Sequence, residues 1–411
     1  SYTTRTRKGR KGNANMATAV IVDAVRTAGG KRYGKLSGWH AADLAAETLQ
    51  ALAERNNLDP ALVEDVIMGC VMQVGDQSVN VGRSAVLSAG WPEEVPATTI
   101  DRQCGSSQQS AHFAAQGVMA GAYDIVVAAG VEVMSKTPMG ASVTPGTFPM
   151  GPKVMERYAP RGGVVMQGTS AEIIANKWDI SREDMDAFAV ESHRRAAAAT
   201  AEGRFDNELI PVAEKRLDRE TGQVIATGEM VTADEGIRPD SSMESLAKLK
   251  PAFDPENGRV TAANSSQITD GASAMLIMSE EKAKELGLKP RARFHAFSVV
   301  GVDPIEMLTG PIPATVKVLE KAGMTLDQMD LIEINEAFAS VVLAWEKEYS
   351  PDMSKVNVNG GAIAFGHPLG ATGGMLVGTM VDEMERRDVN TALITLCVGA
   401  GMGTTTIIER V

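Results

Sequence analysis

The chain has 411 residues, 44% of them apolar, which is enough for two or three cooperatively folding units around a large buried core. Its formal net charge of −12 argues against a surface for nucleic acid or an anionic membrane, and no apolar run is long enough for a transmembrane helix. Three widely separated cysteines do not suggest a disulfide framework, so we expect free thiols and a reducing, cytoplasmic location.

Residues 1–15 carry five basic groups and no acidic group ahead of Met16. This composition favours an artificial leader before the natural start, with a transit-like or basic tail as the alternative. We exclude this segment from the predicted fold.

Strand and helix patterns alternate through the first part of the chain. The run AVIVDAV reads as a buried strand, and apolar residues then recur at helical spacing between Ala45 and Leu52. The next apolar run, DVIMGCV, is a second strand. Cys70 lies on it and is interpreted as a small buried hydrophobe. The alternation predicts an α/β sheet.

Two distant stretches share the same order of loop, helix and strand. Cys104 lies in a polar loop that precedes a helical pattern and a strand beginning at Ile125. His367 likewise precedes a helical pattern and a strand beginning near Ala392. The shared order and spacing indicate an internal duplication, which would create two facing helix N-termini.

The segment between these stretches differs in composition. Residues 137–168 are rich in Pro, Gly and Met without a clear period, which suggests a loop over a site. Ser181 and Asp184 predict the capping box of a helix running to about Ala201, and DRETGQV predicts a turn between short strands. We divide the chain into an N-terminal half (16–136 with 269–289), an inserted lid domain (137–268) and a C-terminal half (290–411).

Cys104 is the candidate nucleophile. It precedes a predicted helix, whose unpaired N–H groups and dipole stabilise a thiolate, and a nearby histidine would lower its pKa further. A buried structural thiol is the alternative, but the polar neighbours Asp101, Arg102 and Gln103 argue against deep apolar burial. Because thiolates attack and leave well, acyl transfer between thiols through an acyl-enzyme is the natural reaction class.

His367 lies in the glycine-rich stretch from Asn357 to Gly374, and a histidine there suits proton transfer near neutral pH. A loop histidine bonded to backbone is the alternative. Cys397, at the end of a predicted strand, is a candidate acid or base. Asn335 ends another predicted strand, from Leu326, and is a candidate for holding a water or an oxyanion. The N–H groups near Gly399 are candidates for an oxyanion hole, and the residues alone leave structural roles open for Cys397 and Asn335.

Rival motifs are absent from the sequence. The glycines from Gly399 to Gly403 precede a strand-like terminus instead of a helix, which argues against a nicotinamide site. No P-loop lysine follows the glycines of the 360s, and neither C-x-x-C nor H-E-x-x-H occurs, so we predict no metal and no tightly bound cofactor.

Four blocks of the sequence resemble the thiolase family over Thr18 to Val411. They are the loop around Cys104, NEAF at Asn335–Phe338, GHPLGATG at Gly366–Gly373 and CVGAG at Cys397–Gly401. The resemblance implies a five-layered αβαβα fold of two duplicated halves with an inserted loop domain. It also implies homodimers or homotetramers.

The resemblance further implies a reaction and roles for individual residues. His367 would activate Cys104 to attack the 3-keto carbon of a 3-ketoacyl-CoA, and coenzyme A would be a substrate, not a bound cofactor. Cys397 would protonate the departing acetyl-CoA enolate, which His367 and a water on Asn335 would stabilise. The N–H groups of Cys104 and Gly399 would form a second oxyanion hole. Family positions matching coenzyme A contacts are Arg238, Ser266 and, for the pantetheine arm, Phe338.

The sequence also departs from the best-known pattern. Ser107 stands where many members have Gly, and Met166 with Gln167 replaces the His-Met pair typical of acetoacetyl-CoA synthesising members. The second departure favours degradation of longer or bulkier substrates, including a steroid side chain. We therefore expect thiolysis of 3-ketoacyl-CoA in β-oxidation. The alternatives are an acetyl-CoA acetyltransferase and a non-catalytic acyl-CoA-binding subunit of a β-oxidation complex.

Overall fold

A computed structural model describes residues 16–411, so the predicted leader at 1–15 lies outside the described residues. The strands within this range are β1 (Ala19–Arg26), β2 (Gly30–Lys31), β3 (Val66–Gly69), β4 (Ala97–Ile100), β5 (Ile125–Val133), β6 (Val212–Leu217), β7 (Val224–Val231), β8 (Thr269–Ser279), β9 (Ala292–Gly301), β10 (Leu331–Ile334), β11 (Thr391–Val398) and β12 (Met402–Arg410). The helices are α1 (Ala41–Arg55), α2 (Val81–Ser88), α3 (Ser106–Met119), α4 (Pro152–Tyr158), α5 (Gln167–Lys177), α6 (Arg182–Ala201), α7 (Met243–Ala247), α8 (Glu280–Glu285), α9 (Pro311–Ala322), α10 (Ala339–Tyr349), α11 (Ala362–Phe365) and α12 (Thr372–Arg387).

The sheet repeats one topology in its two halves. Its strand order is β4-β3-β5-β8-β1-β9-β12-β11-β10, with β2 beside β8. In the first half β3 is parallel to β5, and β8 is antiparallel to both β5 and β1. In the second half β10 is parallel to β11, and β12 is antiparallel to both β11 and β9. The matching order confirms the predicted duplication, and the halves join where β1 pairs with β9.

Helices alternate with the two halves of the sheet. α1 packs on the outer face of the first half and also contacts α2. The helices α3 and α12 pack against each other between the two halves. α9 covers the outer face of the second half. This arrangement is the predicted five-layered αβαβα fold. Side chains of β1 alternate between the outer core and the central core, so both faces of the strand are buried, as its apolar sequence requires.

The central helices α3 and α12 approach each other very closely at their N-terminal ends. A Cβ on Gly373 would lie 2.5 Å from the backbone nitrogen of Gln108, so only glycine fits there. The Gly374 N–H donates to Ser107 Oγ at 2.8 Å, so the serine that departs from the common family pattern forms a link between the two helices. This contact brings the loops before α3 and α12 to the same end of the molecule.

The segment between β5 and β8 contains α4 to α7 and the β6–β7 hairpin. Ser181 and Asp184 form the predicted capping box of α6, which ends at Ala201 as expected. Residues 137–168, expected to be loop, contain the helix α4, whose residues are largely exposed and therefore lack an apolar period. Arg26 in β1 anchors the segment, because its guanidinium donates to Glu208 at 2.7 Å and to Asp234 at 2.8 Å.

Two local predictions need correction. Cys70 directly follows β3 instead of lying on it, although it is buried as expected. The strand expected from Leu326 begins only at Leu331, because Leu326–Gln328 form a 3₁₀ turn. Within residues 16–411, no helix combines the length and apolar character needed to cross a membrane.

Candidate active site

Cys104 lies in a tight turn between β4 and α3. The preceding Gln103 has a left-handed φ of +47°, and its N–H donates to Asp101 Oδ1 at 2.7 Å. The Ser106 hydroxyl donates to the Gln103 carbonyl at 2.6 Å and closes the turn from the other side. These bonds fix a strained backbone that places Cys104 two residues before Ser106, the first residue of α3, so the thiol precedes this helix as predicted.

Three N–H groups near the sulfur of Cys104 favour its thiolate form. They are the side-chain amide of Gln167 and the backbone N–H groups of Gly399 and of Cys104 itself. Gly399 lies in the turn between β11 and β12, and Gln167 is the first residue of α5. The site thus combines elements from the first half, the second half and the inserted segment.

Burial dominates the acid–base behaviour of Cys104. It raises the pKa of the thiol to about 11, although the bonds from Gln167 and Gly399 act in the opposite direction. The expected lowering of this pKa is therefore wrong for the resting protein. The thiol is neutral near pH 7, and a base must remove its proton during reaction.

His367 is held by bonds that fix its tautomer. Its Nδ1 lies 2.5 Å from Thr372 Oγ1, and the Thr372 hydroxyl donates its own hydrogen to the Pro368 carbonyl at 2.9 Å. Thr372 Oγ1 therefore accepts from an Nδ1–H group, which leaves Nε2 as the unprotonated ring nitrogen. Burial lowers the pKa of His367 to about 4, so the imidazole is neutral near pH 7 and Nε2 can accept a proton.

Asn335 and His367 are neighbours. Asn335 directly follows β10, and its Nδ2 lies 3.5 Å from His367 Nε2. Among the described residues, Asn335 Oδ1 is buried without a hydrogen-bond partner. Because a buried carbonyl oxygen usually accepts a hydrogen bond, this atom is available to a donor that enters the site.

Cys397 is fully buried within β11, close to the turn that carries Gly399. Burial raises the pKa of its thiol well above the ordinary range, and the proximity of Cys104 raises it further. The two thiols are therefore close enough to interact electrostatically, and Cys397 holds its proton in the resting protein.

A cavity of about 500 Å³ is lined by His367 and by residues that pack against Cys104. Its lining includes Gln167, Arg238, Ser266, Phe338 and His367. Apolar lining comes from Met134 and Leu369, which also pack with Cys104 in one buried cluster. The residues predicted to bind coenzyme A therefore line the same cavity as the predicted base.

Glu132 is a buried residue of the site that the sequence analysis missed. Its carboxylate accepts N–H bonds from Val71 at 2.9 Å and from Gly370 at 3.0 Å, and a side-chain bond from Gln77 at 2.6 Å. It thereby holds the His367 loop against the loop after β3. The sequence feature that could have revealed Glu132 is an acidic residue within the otherwise apolar strand β5.

Within residues 16–411, no three His, Cys, Asp or Glu side chains are grouped so that they could hold a metal ion. The site chemistry available to the described residues is therefore that of two thiols, one imidazole and amide donors.

Comparison with known proteins identifies the family. The model of the thiolase N-terminal domain matches residues 19–281, and that of the thiolase C-terminal domain matches residues 288–410. A steroid 3-ketoacyl-CoA thiolase of Mycobacterium tuberculosis is 48% identical over 98% of this chain and 96% of its own length. A 3-ketoacyl-CoA thiolase of Psychrobacter cryohalolentis is 47% identical over 95% of this chain and 98% of its own.

A crystal structure of the acetyl-CoA acetyltransferase of Bacillus anthracis superposes with a TM-score of 0.86 at 39% identity, covering 96% of this chain and 99% of that one. Fold, sequence and both domain models agree over nearly the whole described chain. The chain belongs to the thiolase family.

Proposed function

We propose that this enzyme cleaves 3-ketoacyl-CoA with free coenzyme A, giving acetyl-CoA and a shortened acyl-CoA. One observation carries the proposal: the sulfur of Cys104 lies near the Gly399 N–H, within electrostatic reach of Cys397 and beside the cavity that His367 lines. A nucleophile, an oxyanion hole and two proton carriers are the groups that thiolysis requires.

Acylation starts from the neutral thiol and the neutral imidazole. His367 Nε2 takes the proton of Cys104 as the sulfur attacks the 3-keto carbon of the substrate. The backbone N–H groups of Cys104 and Gly399 then donate to the oxyanion of the tetrahedral intermediate. Because both donors belong to rigid turns of the fold, they need little reorganisation as the charge develops.

Cleavage of the bond between C2 and C3 leaves the acyl group on Cys104 and expels an acetyl-CoA enolate. The Cys397 thiol protonates the enolate carbon. Asn335, through a water, and His367 stabilise the enolate oxygen, a role that the unpaired Asn335 Oδ1 supports. The resulting Cys397 thiolate takes the proton of incoming coenzyme A, whose sulfur attacks the acyl-enzyme. Cys104 leaves as a thiolate and recovers its proton from His367.

The cavity lining supports the proposed coenzyme A contacts. Arg238 supplies a cation for the phosphates, Ser266 is a further contact to coenzyme A, and the ring of Phe338 contacts the pantetheine arm. Phe338 is itself held by an edge-on contact with Phe253, whose ring centroid lies 6.2 Å away. Coenzyme A is thus a substrate, and the assembly that we propose is a homodimer or homotetramer, working in the cytoplasm.

The substrate that we favour is a longer or bulkier 3-ketoacyl-CoA in fatty-acid or steroid side-chain β-oxidation. Met134 and Leu369 beside Cys104 offer an apolar surface to such an acyl group. The similarity to an acetyl-CoA acetyltransferase structure keeps acetoacetyl-CoA chemistry as the second candidate. The non-catalytic subunit is disfavoured because each of the expected reactive residues is present.

A panel of 3-ketoacyl-CoA substrates, from four carbons to steroid-sized groups, assayed with free coenzyme A, tests the proposal. We expect turnover that rises with acyl size and is lost in Cys104→Ala, with the circular dichroism spectrum unchanged. Cleavage of acetoacetyl-CoA alone would favour the acetyltransferase, and full activity of Cys104→Ala would end the nucleophile assignment.

A further inference from the structure

Gln167 reaches the reactive sulfur from the inserted segment. Its side-chain amide lies near Cys104 Sγ and favours the thiolate form of the thiol. Its Nε2 also lies 3.2 Å from the point where a Cβ on Gly399 would stand, so it shares the small space beside the oxyanion-hole turn. The side chain also lines the substrate cavity. Gln167 therefore lies beside both the nucleophile and the space that the reacting group enters.

Several contacts fix the start of α5 and therefore the position of the Gln167 amide. A Cβ on Gly168 would lie 2.2 Å from the Phe253 ring, so the helix begins in direct contact with that ring. The Ser170 hydroxyl donates to the Ile305 carbonyl at 2.7 Å. Glu172 accepts from the Val260 N–H at 2.7 Å. These contacts hold the first two turns of α5 to the fold on several sides.

A second glutamine nearby provides a contrast. Gln103 Oε1 lies 3.4 Å from the same point beside Gly399. Its Nε2, however, donates to the Asp101 carboxylate at 3.1 and 3.2 Å. Of these two amides, only that of Gln167 offers an N–H group to the sulfur.

We infer that Gln167 is a catalytic residue that stabilises the Cys104 thiolate through its amide N–H during acylation. The inference rests on the proposed function and extends it. When the thiol proton passes to His367 Nε2, the sulfur gains negative charge and the N–H···S bond strengthens, because bonds to charged acceptors are about twice as strong as neutral ones. No covalent bond of Gln167 forms or breaks in this step.

Alkylation of Cys104 by iodoacetamide tests this role without requiring turnover. Rates are measured on the full chain between pH 7 and 10, with peptide mass spectrometry to follow the Cys104 peptide. Gln167→Met keeps the volume and removes the donor, so we expect the thiolate fraction at a given pH to fall about tenfold. The alkylation rate would fall only about threefold, because a more basic thiolate is also more nucleophilic.

Three further variants separate this role from a structural one. Gln167→Glu places a carboxylate beside the sulfur and should slow alkylation more than Gln167→Met does. Gln167→His restores a donor and should recover part of the rate. Gln103→Met is the matched control and should alkylate at the unaltered rate. Equal rates for Gln167→Met and the unaltered chain, or an equal loss in Gln103→Met, would overturn the inference.

The same variants are assayed for thiolysis, where Gln167→Met should lower kcat/KM about tenfold. If the unaltered chain forms no acyl-enzyme from any 3-ketoacyl-CoA, the proposed function fails. The alkylation series still decides whether Gln167 stabilises the thiolate, so the two failures are distinguishable.

Discussion

Thr372→Val should impair catalysis because it removes the hydrogen bond that fixes the tautomer of His367. The hydroxyl of Thr372 accepts the Nδ1–H of His367 at 2.5 Å and donates to the Pro368 carbonyl at 2.9 Å. Valine has nearly the same shape but neither accepts nor donates. In the variant, a proton on Nδ1 would be buried without an acceptor, whereas a proton on Nε2 could turn to Asn335 Oδ1, which has no partner among the described residues.

The size of the effect follows from the cost of an unpaired buried donor, about 1 to 3 kcal/mol. This energy shifts the tautomer equilibrium towards Nε2–H, the form that cannot accept the thiol proton. Since about 1.4 kcal/mol corresponds to a factor of ten, we expect kcat/KM to fall roughly tenfold to a hundredfold.

The assay is thiolysis of a 3-ketoacyl-CoA under limiting substrate, with Thr372→Ser as the matched control because serine keeps the hydroxyl. Thermal unfolding of both variants would show whether the fold is retained. We expect Thr372→Ser to remain within a few-fold of the unaltered chain. Equal kcat/KM values for the valine and serine variants would refute the argument from the tautomer.

Three other predictions concern the base, the second thiol and the central helices. Because burial lowers the pKa of His367 to about 4, the base is protonated only at low pH. The acid limb of kcat/KM should therefore have its midpoint nearer pH 4 than pH 6.5, and a midpoint at 6.5 would contradict the assignment. Cys397→Ala should slow solvent exchange of the acetyl-CoA methyl protons by a hundredfold or more, as expected for loss of a general base; exchange at the original rate, followed by NMR, would exclude that role. Gly373→Ala should destabilise the fold by about 1 to 3 kcal/mol, since its Cβ would lie 2.5 Å from a backbone nitrogen of Gln108. Gly378→Ala, where the nearest atom is a side-chain carbon at 3.1 Å, should cost less in urea unfolding, and the reverse order would be inconsistent with the packing.

The sequence predicted alternating strands and helices because each element carries a local signal, whereas the five layers were implied by the resemblance to the thiolase family. Apolar runs such as β1 are buried on both faces, and the capping box at Ser181 and Asp184 marks the start of α6. The family blocks added the arrangement of the two halves. The helix α4 was missed because it is exposed and has no apolar period.

The sequence identified which residues are candidates for the site, but it did not predict their burial or the pKa of the Cys104 thiol. The flanks of Cys104 are polar, yet its side chain is buried, because Met134 and Leu369 come from distant parts of the chain to cover it. Burial therefore raises the thiol pKa where a helix N-terminus alone suggested that it would fall. The position of Gln167 near the sulfur depends on how the inserted segment folds back onto the two halves. The sequence had shown only that Gln167 departs from the common family pattern.

The most direct test of the account is to find where the acyl group resides during turnover. The chain is mixed with a 3-ketoacyl-CoA in the absence of free coenzyme A, quenched in acid and digested, and its peptides are measured by mass spectrometry. We predict that the mass of the acyl group appears on the peptide containing Cys104 and disappears when coenzyme A is added. Turnover without an adduct, or an adduct on Cys397 or Cys70 instead, would contradict the central claim.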